Sequence, residues 1–381
     1  MKNSNSTSSK DTMSAQKKRK KNTRKFIILG VEVILLSFML CVLWFVTRFT
    51  DEEEGIKRVE ISSDDIIINE GLLEQDDTQT TEEDGDEIVV EKDTFRTIAL
   101  FGLDSTIGAL TSGTRSDTIM IASINNTTKE VHLMSVYRDT YLNLGNDTYN
   151  KCNTAYAKGG AKQAINMLNM NLDLDITDFV AVGFKGVMDT VDAIGGIYID
   201  IDEGELKHIN NYQISIAENL KISYEPLTET GYQKVNGLQA TAYCRIRLVG
   251  NNDFKRTERQ REVLQAILDE ARNIDVKTLT KLAEDVLGDF YTSVDLEEIL
   301  TLLSDLGSYT LIDEGGFPTV EYRTGATLGR NVGDSVICTD LEAAVAELHE
   351  KIYGEESYVV TDTVKEISAT IAANTKPYLK N

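Results

Sequence analysis

Proline, tryptophan and histidine are scarce in this sequence, which has three, one and three of them among 381 residues. So little proline excludes a Pro-rich spacer or a polyproline recognition segment. The histidines, His132, His208 and His349, are scattered and have no partner pattern around them. The sequence therefore does not predict a serine or cysteine triad built around histidine, or a histidine-rich metal site.

Cysteine is also rare, and its four copies follow no pattern. Cys41 falls in an apolar run, while Cys152, Cys244 and Cys338 are an odd number at irregular spacing. Such spacing excludes a disulfide framework and a zinc pattern. We expect free, buried thiols at the last three positions, with a Cys152–Cys244 bridge as the alternative.

Basic residues are in deficit, with 39 lysines and arginines against 62 aspartates and glutamates and a formal net charge of −23. The first 25 residues hold nine basic residues and one acid, so the remainder is more acidic than the chain as a whole. A domain of this charge repels nucleic acid, and we expect no nucleic-acid partner.

One long apolar run, residues 26–46, stands out from this polar composition. At about 1.5 Å of rise per residue, a helix over this run spans roughly 30 Å, the thickness of the hydrocarbon layer of a bilayer. The basic residues before it and the acids after it predict a transmembrane helix with residues 1–25 in the cytoplasm. A cleaved signal peptide is the alternative, but no small-residue cleavage site follows. The sequence thus predicts a single-pass protein of the cell membrane with an extracellular domain.

Composition divides the part outside the membrane into three segments. Residues 47–94 are dense in acids and threonine and predict an acidic linker. Residues 95–354 alternate buried strands with amphipathic helices, which predicts a single α/β domain with a central mixed sheet between two helical layers. Residues 355–381 are expected to form a peripheral C-terminal appendage.

Within the domain, the hydrophobic pattern locates most elements. Strands are predicted at 97–104, on both sides of a turn at 125–129, at 179–183 and at 197–201. Helices are predicted at 161–172, 187–194, 256–272, 278–287, 296–306 and 340–353. Residues 238–247 are expected to be a helix that runs into an extended end.

Arginines and acids gather in three stretches: GLDSTIGALTSGTRSDTIM (102–120), SVYRDT (135–140) and YCRIRLVGNNDFKRTERQ (243–260). In so acidic a chain, gathered guanidiniums predict a pocket for an anion, because the planar fork of arginine matches phosphate. The paired acids nearby predict a divalent cation in the same site. Three further segments lie among them: NKCNTAYAKGG (150–160), DTVDAIGGIYIDI (189–201) and GYQKVNGLQATAYCRIR (231–247).

These six motifs, in this order over residues 96–262, resemble the LytR–CpsA–Psr family of bacterial cell-envelope proteins. The resemblance implies a membrane-anchored phosphotransferase that moves a glycopolymer, such as a teichoic acid or a capsular glycan, from a polyprenyl-pyrophosphate carrier onto peptidoglycan. The family often has an arginine two residues after the first aspartate, where this chain has Ser105 and Thr106, and Tyr137 stands where proline is usual. Hydrolysis of the same lipid pyrophosphate and a non-catalytic role in envelope regulation are the alternatives.

Asp104 ends a predicted strand and Asp117 begins the next, so both carboxylates fall beside one loop region. Two carboxylates there, with phosphate and water oxygens, suit one hard cation. The resemblance implies Mg2+ or Mn2+ at these two positions. Capping of a turn is the alternative role for a lone aspartate.

The resemblance also implies that Arg138, Arg245 and Arg247 hold the pyrophosphate, with Arg115 as a further contact. On an extended chain, the two-residue spacing of Arg245 and Arg247 points both to one side. For Arg138, the alternative is a salt bridge to Asp139 or to another neighbour. In the implied reaction Arg138 stabilises the charge, and Asp104 or Asp253 takes the proton of the attacking hydroxyl. For Asp253 the sequence leaves three roles open: a helix cap, a metal ligand or that base.

Helical phase gives independent evidence at 256–272. At about 100° per residue, Arg256 and Gln260 fall on the same apolar stripe as Val263. A buried arginine needs an anionic partner, and the N-terminus of a helix favours anions. We therefore expect Arg256 and Gln260 to face the substrate, with a capping box between Thr257 and Gln260 as the alternative.

A lipid carrier also needs an apolar slot. Residues 161–172, with Met167 and Met170, and residues 179–191 are apolar enough to line one. The same segments suit an ordinary α/β core, which is the simpler interpretation of each residue.

Overall fold

The computed structural model describes residues 57–72, 78–83, 86–91, 94–105, 110–250 and 252–379. These residues lie in the unit Lys57–Asn381, which is distinct from Met1–Ile56. The predicted tail at 1–25 and the predicted transmembrane helix at 26–46 lie outside the described residues. Within the described ranges, no helix has both the length and the apolar character that crossing a membrane requires.

A mixed sheet forms the centre of the fold and confirms the predicted α/β class. The strands of the described residues are β1 (Lys57–Arg58), β2 (Thr78–Glu83), β3 (Asp86–Glu91), β4 (Phe95–Leu103), β5 (Ser116–Asn125), β6 (Glu130–Val136), β7 (Tyr141–Asn143), β8 (Tyr149–Lys151), β9 (Asp178–Val182), β10 (Ile197–Ile201), β11 (Gly231–Val235), β12 (Phe290–Thr292), β13 (Thr310–Phe317), β14 (Arg323–Leu328) and β15 (Gly333–Cys338). Seven of them form the central sheet, in the order β1-β12-β9-β4-β5-β6-β13. β4 pairs antiparallel with β5 and parallel with β9, and β6 pairs parallel with β13.

Helices cover both faces of this sheet. They are α1 (Thr154–Leu172), α2 (Phe184–Ala193), α3 (Glu203–Leu220), α4 (Gly237–Tyr243), α5 (Asn252–Ala271), α6 (Val276–Val286), α7 (Leu296–Ser304), α8 (Gly329–Val332), α9 (Leu341–Tyr353) and α10 (Asp362–Thr375). α3, which the hydrophobic pattern did not reveal, begins with a capping box in which Asp202 and Glu205 satisfy each other's backbone amides.

The alternation of β4 separates the two layers. Ala99, Phe101 and Leu103 lie on one face, in the main core that α1, α9 and α10 complete. Ile98 and Leu100 lie on the other face, where they pack with side chains of α5 and α7. The strand therefore buries both faces, and the second face is the one that carries the functional site.

Residues 57–72 pack on the domain, which differs from the acidic linker expected over 47–94. β1 adds a parallel edge strand beside β12. Asn69 is 3% exposed, and its side-chain amide donates to Asp173 Oδ1 at 2.5 Å and to the Met170 carbonyl oxygen at 3.1 Å. The amide of Ile67 donates to Asn166 Oδ1 at 2.9 Å. Partners on α1 thus satisfy the polar backbone of a segment whose composition alone predicts disorder.

The C-terminal residues differ from the peripheral appendage expected over 355–381. Val364, Ile367 and Ile371 of α10 are buried in the main core. Their three- and four-residue spacing is the apolar stripe of a packed helix. α10 is therefore an integral part of the domain.

The thiols of Cys152, Cys244 and Cys338 are free, as expected, and the alternative bridge between Cys152 and Cys244 is absent. Cys152 and Cys338 are fully packed. Burial raises the pKa of the Cys244 thiol to about 12, so it stays protonated at neutral pH.

The Asn69 contacts allow a test of this packing. We expect Asn69→Ala to lower the free energy of unfolding of the full chain by about 1–3 kcal/mol, because buried carbonyl and carboxylate oxygens lose their donor. Denaturant titration measures it. Asn126→Ala, in an exposed turn, is the control, with a change within about 0.5 kcal/mol. Equal stability of the two variants would contradict the packing of 57–72.

Candidate active site

A cavity of about 380 Å³ lies between the second face of the sheet and helices α2 and α5. Its apolar lining includes Leu100, Met120, Val180, Val182, Phe184, Val187, Val263, Leu264 and Ile267. Residues of the apolar segment 179–191 therefore line a slot. This is one of the two roles that the sequence predicted for the segment, the other being an ordinary core. Met167 lies instead in the main core on the opposite face, and Met170 packs against it.

Most of the polar lining of the cavity comes from the motifs. It includes Asp104, Asp117, Arg245, Arg247, Arg256 and Gln260. Asp104 and Asp117 come from the neighbouring ends of β4 and β5, where Leu103 pairs with Ser116. The structure therefore brings residues from two distant motifs to one cavity.

Asp117 is the centre of the charged cluster. Arg138 Nη1 and Arg247 Nη2 each donate to one of its carboxylate oxygens at 2.8 Å. Arg256 donates to its carbonyl oxygen at 2.9 Å and lies 3.6 Å from its carboxylate. Burial raises the pKa of the Asp117 carboxyl, but the three guanidiniums outweigh burial and hold that pKa below its ordinary value. Asp117 is thus charged at neutral pH and holds three arginines together.

Asp253, in the first turn of α5, is a second counter-charge. Arg138 Nε donates to it at 2.8 Å and Arg256 Nη2 at 3.2 Å. Burial lowers the pKa of Arg138, but Asp117 and Asp253 outweigh burial and raise that pKa above its ordinary value. Arg138 therefore makes the salt bridges to neighbouring acids that its alternative role predicts, and the one to Asp139 is the longest, at 3.5 Å.

Arg256 and Gln260 lie on the cavity side of α5, as the helical phase predicts. Arg256 is 2% exposed, and burial lowers the pKa of its guanidinium to about 10. Thr257 donates its hydroxyl to the Phe254 carbonyl oxygen, which is not the bond of the alternative capping box. Arg256 Nε and Gln260 Oε1 are buried and have no hydrogen-bond partner among the described residues. Both atoms belong to side chains that line the cavity.

Arg245 and Arg247 follow the end of α4, which a capping box of Asn236 and Gln239 starts. Ile246 between them is fully buried, so it anchors the turn while both arginines line the cavity. The Arg245 guanidinium lies 4.4 Å from the centre of the Phe184 ring and 5.6 Å from that of Tyr212. Among the described residues it meets rings and no carboxylate, so its donors are available to a ligand.

Arg115 is the site candidate that the structure places neither in the cavity lining nor in the charged cluster. Arg138 and Asp253 do not line the cavity, but they belong to the cluster. The side chain of Arg115 is exposed, although its carbonyl oxygen accepts a bond from the Asp104 amide at 3.4 Å. Asp104 is exposed at the cavity and makes no side-chain hydrogen bond to the described residues.

The residues present supply some, but not all, of the oxygen ligands that one hard cation needs. Asp104 offers an unpaired carboxylate within the described residues, and Asp117 a carboxylate already shared by two arginines. Mg2+ uses one or two carboxylates and completes its shell with water and phosphate oxygens. A larger protein-only cage is not present in the described part of the chain. The donor set therefore suits a cation that binds together with a phosphate-bearing ligand.

The segment between Asp104 and Asp117 is fastened to α1. The Tyr156 hydroxyl donates to the Leu110 carbonyl oxygen at 2.5 Å, and the Gly113 amide to the Ala157 carbonyl oxygen at 3.1 Å. Gly160, at a kink of α1 with φ of 67°, lies so close that a Cβ on it would be 2.5 Å from the Thr111 carbonyl oxygen. Glycine at 160 is thus required both by its φ and by this approach.

Two arginines that sequence reasoning missed hold α5 in place. Arg259 is fully buried, and its Nε donates to Glu205 at 2.7 Å. Arg323 lies 3.9 Å from the ring centre of Phe254 and 4.9 Å from that of Tyr137. Phe254 follows Asp253, and Tyr137 precedes Arg138, so this stack aligns two charged residues of the site. No local sequence signal links Arg323 to either ring.

Comparison with known proteins agrees with this architecture. The model of the "LytR_cpsA_psr family" matches residues 65–321. Biofilm regulatory protein A of Streptococcus mutans is 30% identical over 56% of this chain and 53% of its own length. The polyisoprenyl-teichoic acid–peptidoglycan teichoic acid transferase TagU of Oceanobacillus iheyensis is 28% identical over 61% of this chain and 69% of its own length. The chain spans about half the length of the first two curated relatives that it matches.

The fold is shared with solved structures of Bacillus subtilis TagT. TagT bound to LIIa-WTA superposes with a TM-score of 0.54 at 20% identity, over 69% of this chain and 92% of TagT. TagT with bound octaprenyl pyrophosphate lipid superposes with a TM-score of 0.50 at 20% identity, again over 69% of this chain and 92% of TagT. At this identity the likeness concerns the fold alone. The family model covers well over half of the sequence, and this chain belongs to the LytR–CpsA–Psr family.

Proposed function

We propose that this chain is a membrane-anchored phosphotransferase that moves a glycopolymer from a polyprenyl-pyrophosphate carrier onto peptidoglycan outside the cell. The observation that carries the proposal is a cavity with apolar walls whose polar lining includes Arg245, Arg247 and Arg256. A polyprenyl pyrophosphate has the same two parts, an apolar chain and a diphosphate. A relative named as a polyisoprenyl-teichoic acid–peptidoglycan teichoic acid transferase supports the choice of substrates. The shared fold of TagT, whose structure holds a bound octaprenyl pyrophosphate lipid, supports it as well.

The charges of the cluster suit a diphosphate. Arg138, Arg247 and Arg256 pair with the carboxylates of Asp117 and Asp253. With Arg245 and Asp104 of the cavity lining, the site holds four guanidiniums and three carboxylates. Asp139, which also approaches Arg138, is paired with Lys151. The site therefore carries a net positive charge in an otherwise acidic chain. The Arg245 donors are not committed to an acid in the described residues, and Arg256 Nε is buried and unpaired. These donors stabilise the phosphate charge without any rearrangement, because they are already in place.

In the reaction, a sugar hydroxyl of peptidoglycan attacks the phosphorus that bears the glycan. A new oxygen–phosphorus bond forms, and the bond from that phosphorus to the bridging oxygen breaks. The electron pair of the broken bond leaves with polyprenyl phosphate. Arg138, Arg247 and Arg256 neutralise the charge that collects on the phosphoryl oxygens.

The hydroxyl proton goes to Asp104 or Asp253. Asp104 is the better candidate, because its carboxylate is exposed at the cavity and unpaired among the described residues. Asp253 is already engaged by Arg138 and Arg256. We propose that Asp104 and Asp117 also hold Mg2+ or Mn2+, whose bound form supplies Lewis-acid stabilisation of the phosphoryl oxygens.

The decisive experiment uses the full chain in lipid nanodiscs with a lipid-linked glycan labelled in its phosphate. We expect the label in a phosphodiester on added peptidoglycan, with polyprenyl phosphate released only when the acceptor is present. Release of the lipid phosphate at the same rate without peptidoglycan would show a hydrolase. No turnover in either condition, with intact lipid bound, would favour a non-catalytic role.

The arginines that line the cavity allow a quantitative test. We expect Arg245→Ala and Arg247→Ala each to lower the rate of transfer roughly ten- to hundredfold, because each removes a charge-assisted contact to the diphosphate. Rates are measured with the labelled lipid at limiting concentration. Arg330→Ala, on the exposed helix α8, should transfer normally. Full activity of both cavity variants would exclude the proposed contacts.

The cation site is tested apart from catalysis. We expect Asp104→Asn to weaken Mn2+ binding at least about tenfold, because the ion loses a carboxylate ligand. Calorimetry of the full chain with a non-reactive diphosphate lipid measures it. Asp362→Asn, at an exposed helix start, is the matched control. Unchanged Mn2+ affinity in Asp104→Asn would rule out this ligand.

A further inference from the structure

A second groove lies on the opposite side of α5 from the arginine cavity. Its volume is about 610 Å³, and it runs between the two-stranded sheet of β10 and β11, α5 and β13. Glu262, Gln265 and Asp269 of α5 line it, whereas Arg256, Gln260 and Val263 of the same helix line the cavity. One helix, about 10–12 Å across with its side chains, therefore separates the two.

Two exposed tyrosines stand at this groove. Tyr198 of β10 is 41% exposed and Tyr232 of β11 is 74% exposed. Their rings stack with centres 5.4 Å apart and an interplanar angle of 20°. Lys234 Nζ lies 5.7 Å from the Tyr198 ring centre, so it also contacts this pair. A ring as exposed as that of Tyr232 offers an open face, and the C–H face of a pyranose sugar packs on such a face.

The charges of the groove select against phosphate polymers. Its lining includes Asp200, Asp202, Glu262, Asp269, Glu270 and Asp313. Of its two basic residues, Arg261 pairs with Asp313 at 2.5 Å and Lys255 pairs with Glu258 at 2.8 Å. A polyanionic donor glycan is repelled here. A glycan without phosphate meets carboxylates and the Gln265 amide, which accept and donate hydrogen bonds to hydroxyl and acetamido groups.

We propose that this groove binds the acceptor, a glycan strand of peptidoglycan, with Tyr232 as the stacking platform. The inference rests on the proposed transfer reaction for its biological role, but the binding itself does not depend on it. A strand held here lies one helix away from the arginine cavity, so its hydroxyls are concentrated near the site of attack. The acidic groove and the arginine cavity thus sort acceptor and donor by charge.

Binding is measured directly, with the full chain in nanodiscs and an oligosaccharide of N-acetylglucosamine as the probe. We expect Tyr232→Thr, which keeps the β propensity of the strand, to weaken binding about tenfold, as loss of a central aromatic contact does. Tyr232→Trp should retain binding because it restores a platform. Tyr224→Thr is the matched control, since Tyr224 is 43% exposed but does not line the groove.

Three results of the binding measurement overturn the inference. Equal affinity of Tyr232→Thr and the unchanged chain excludes the platform, and an equal loss in Tyr224→Thr shows an unspecific effect. Binding that is abolished by salt and reproduced by oligolysine identifies a cationic peptide as the occupant. Binding of the probe is measured without any lipid-linked donor. If the chain binds the probe but transfers nothing, only the proposed function is refuted. If the Tyr232→Thr variant transfers with an unchanged KM for the acceptor, only the binding of the acceptor in this groove is refuted.

Discussion

Gathering arginines at one point requires charges of the opposite sign between them, and in this protein Asp117 provides the first. Two unit charges 4 Å apart interact with about 4 kcal/mol at an effective dielectric constant of 20. Without Asp117 and Asp253, Arg138, Arg247 and Arg256 would repel one another strongly enough to open the cluster. The carboxylates therefore assemble the donors before any ligand arrives. In the proposed function, the diphosphate binds to an arrangement that is already electrostatically stable.

The same requirement explains why α5 begins where it does. Asp253 and Arg256 lie in its first turns and belong to the cluster. Arg259, one turn on, is held by Glu205 of α3 and by the carbonyl oxygens of Ile246 and Val249. α5 is thus tied to the loop that carries Arg245 and Arg247. The helix and the loop hold each other in register, and neither forms the site alone.

Local periodicity predicted much of this arrangement. The phase of α5 placed Arg256 and Gln260 correctly because it depends only on neighbouring residues. The strands ending at Asp104 and beginning at Asp117 followed from their apolar runs. By contrast, the roles of Arg259 and Arg323 depend on Glu205 and Phe254, which lie far away in sequence, and no local pattern encodes such pairs. The composition of residues 57–72 predicts a linker for the same reason, since α1 supplies the hydrogen-bond partners that this segment itself lacks. Arg115 shows a related limit, because a motif gives the order of residues but not the direction of each side chain in a loop.

The attachment of 110–115 to α1 has a consequence for affinity. Fixing the backbone of one residue costs about 1–2 kcal/mol of conformational entropy. Tyr156, Ala157 and Gly160 impose that order on this stretch during folding. This stretch leads directly into Asp117, so binding at Asp117 in the proposed function does not repeat the loss, and a larger share of the contact energy there contributes to affinity.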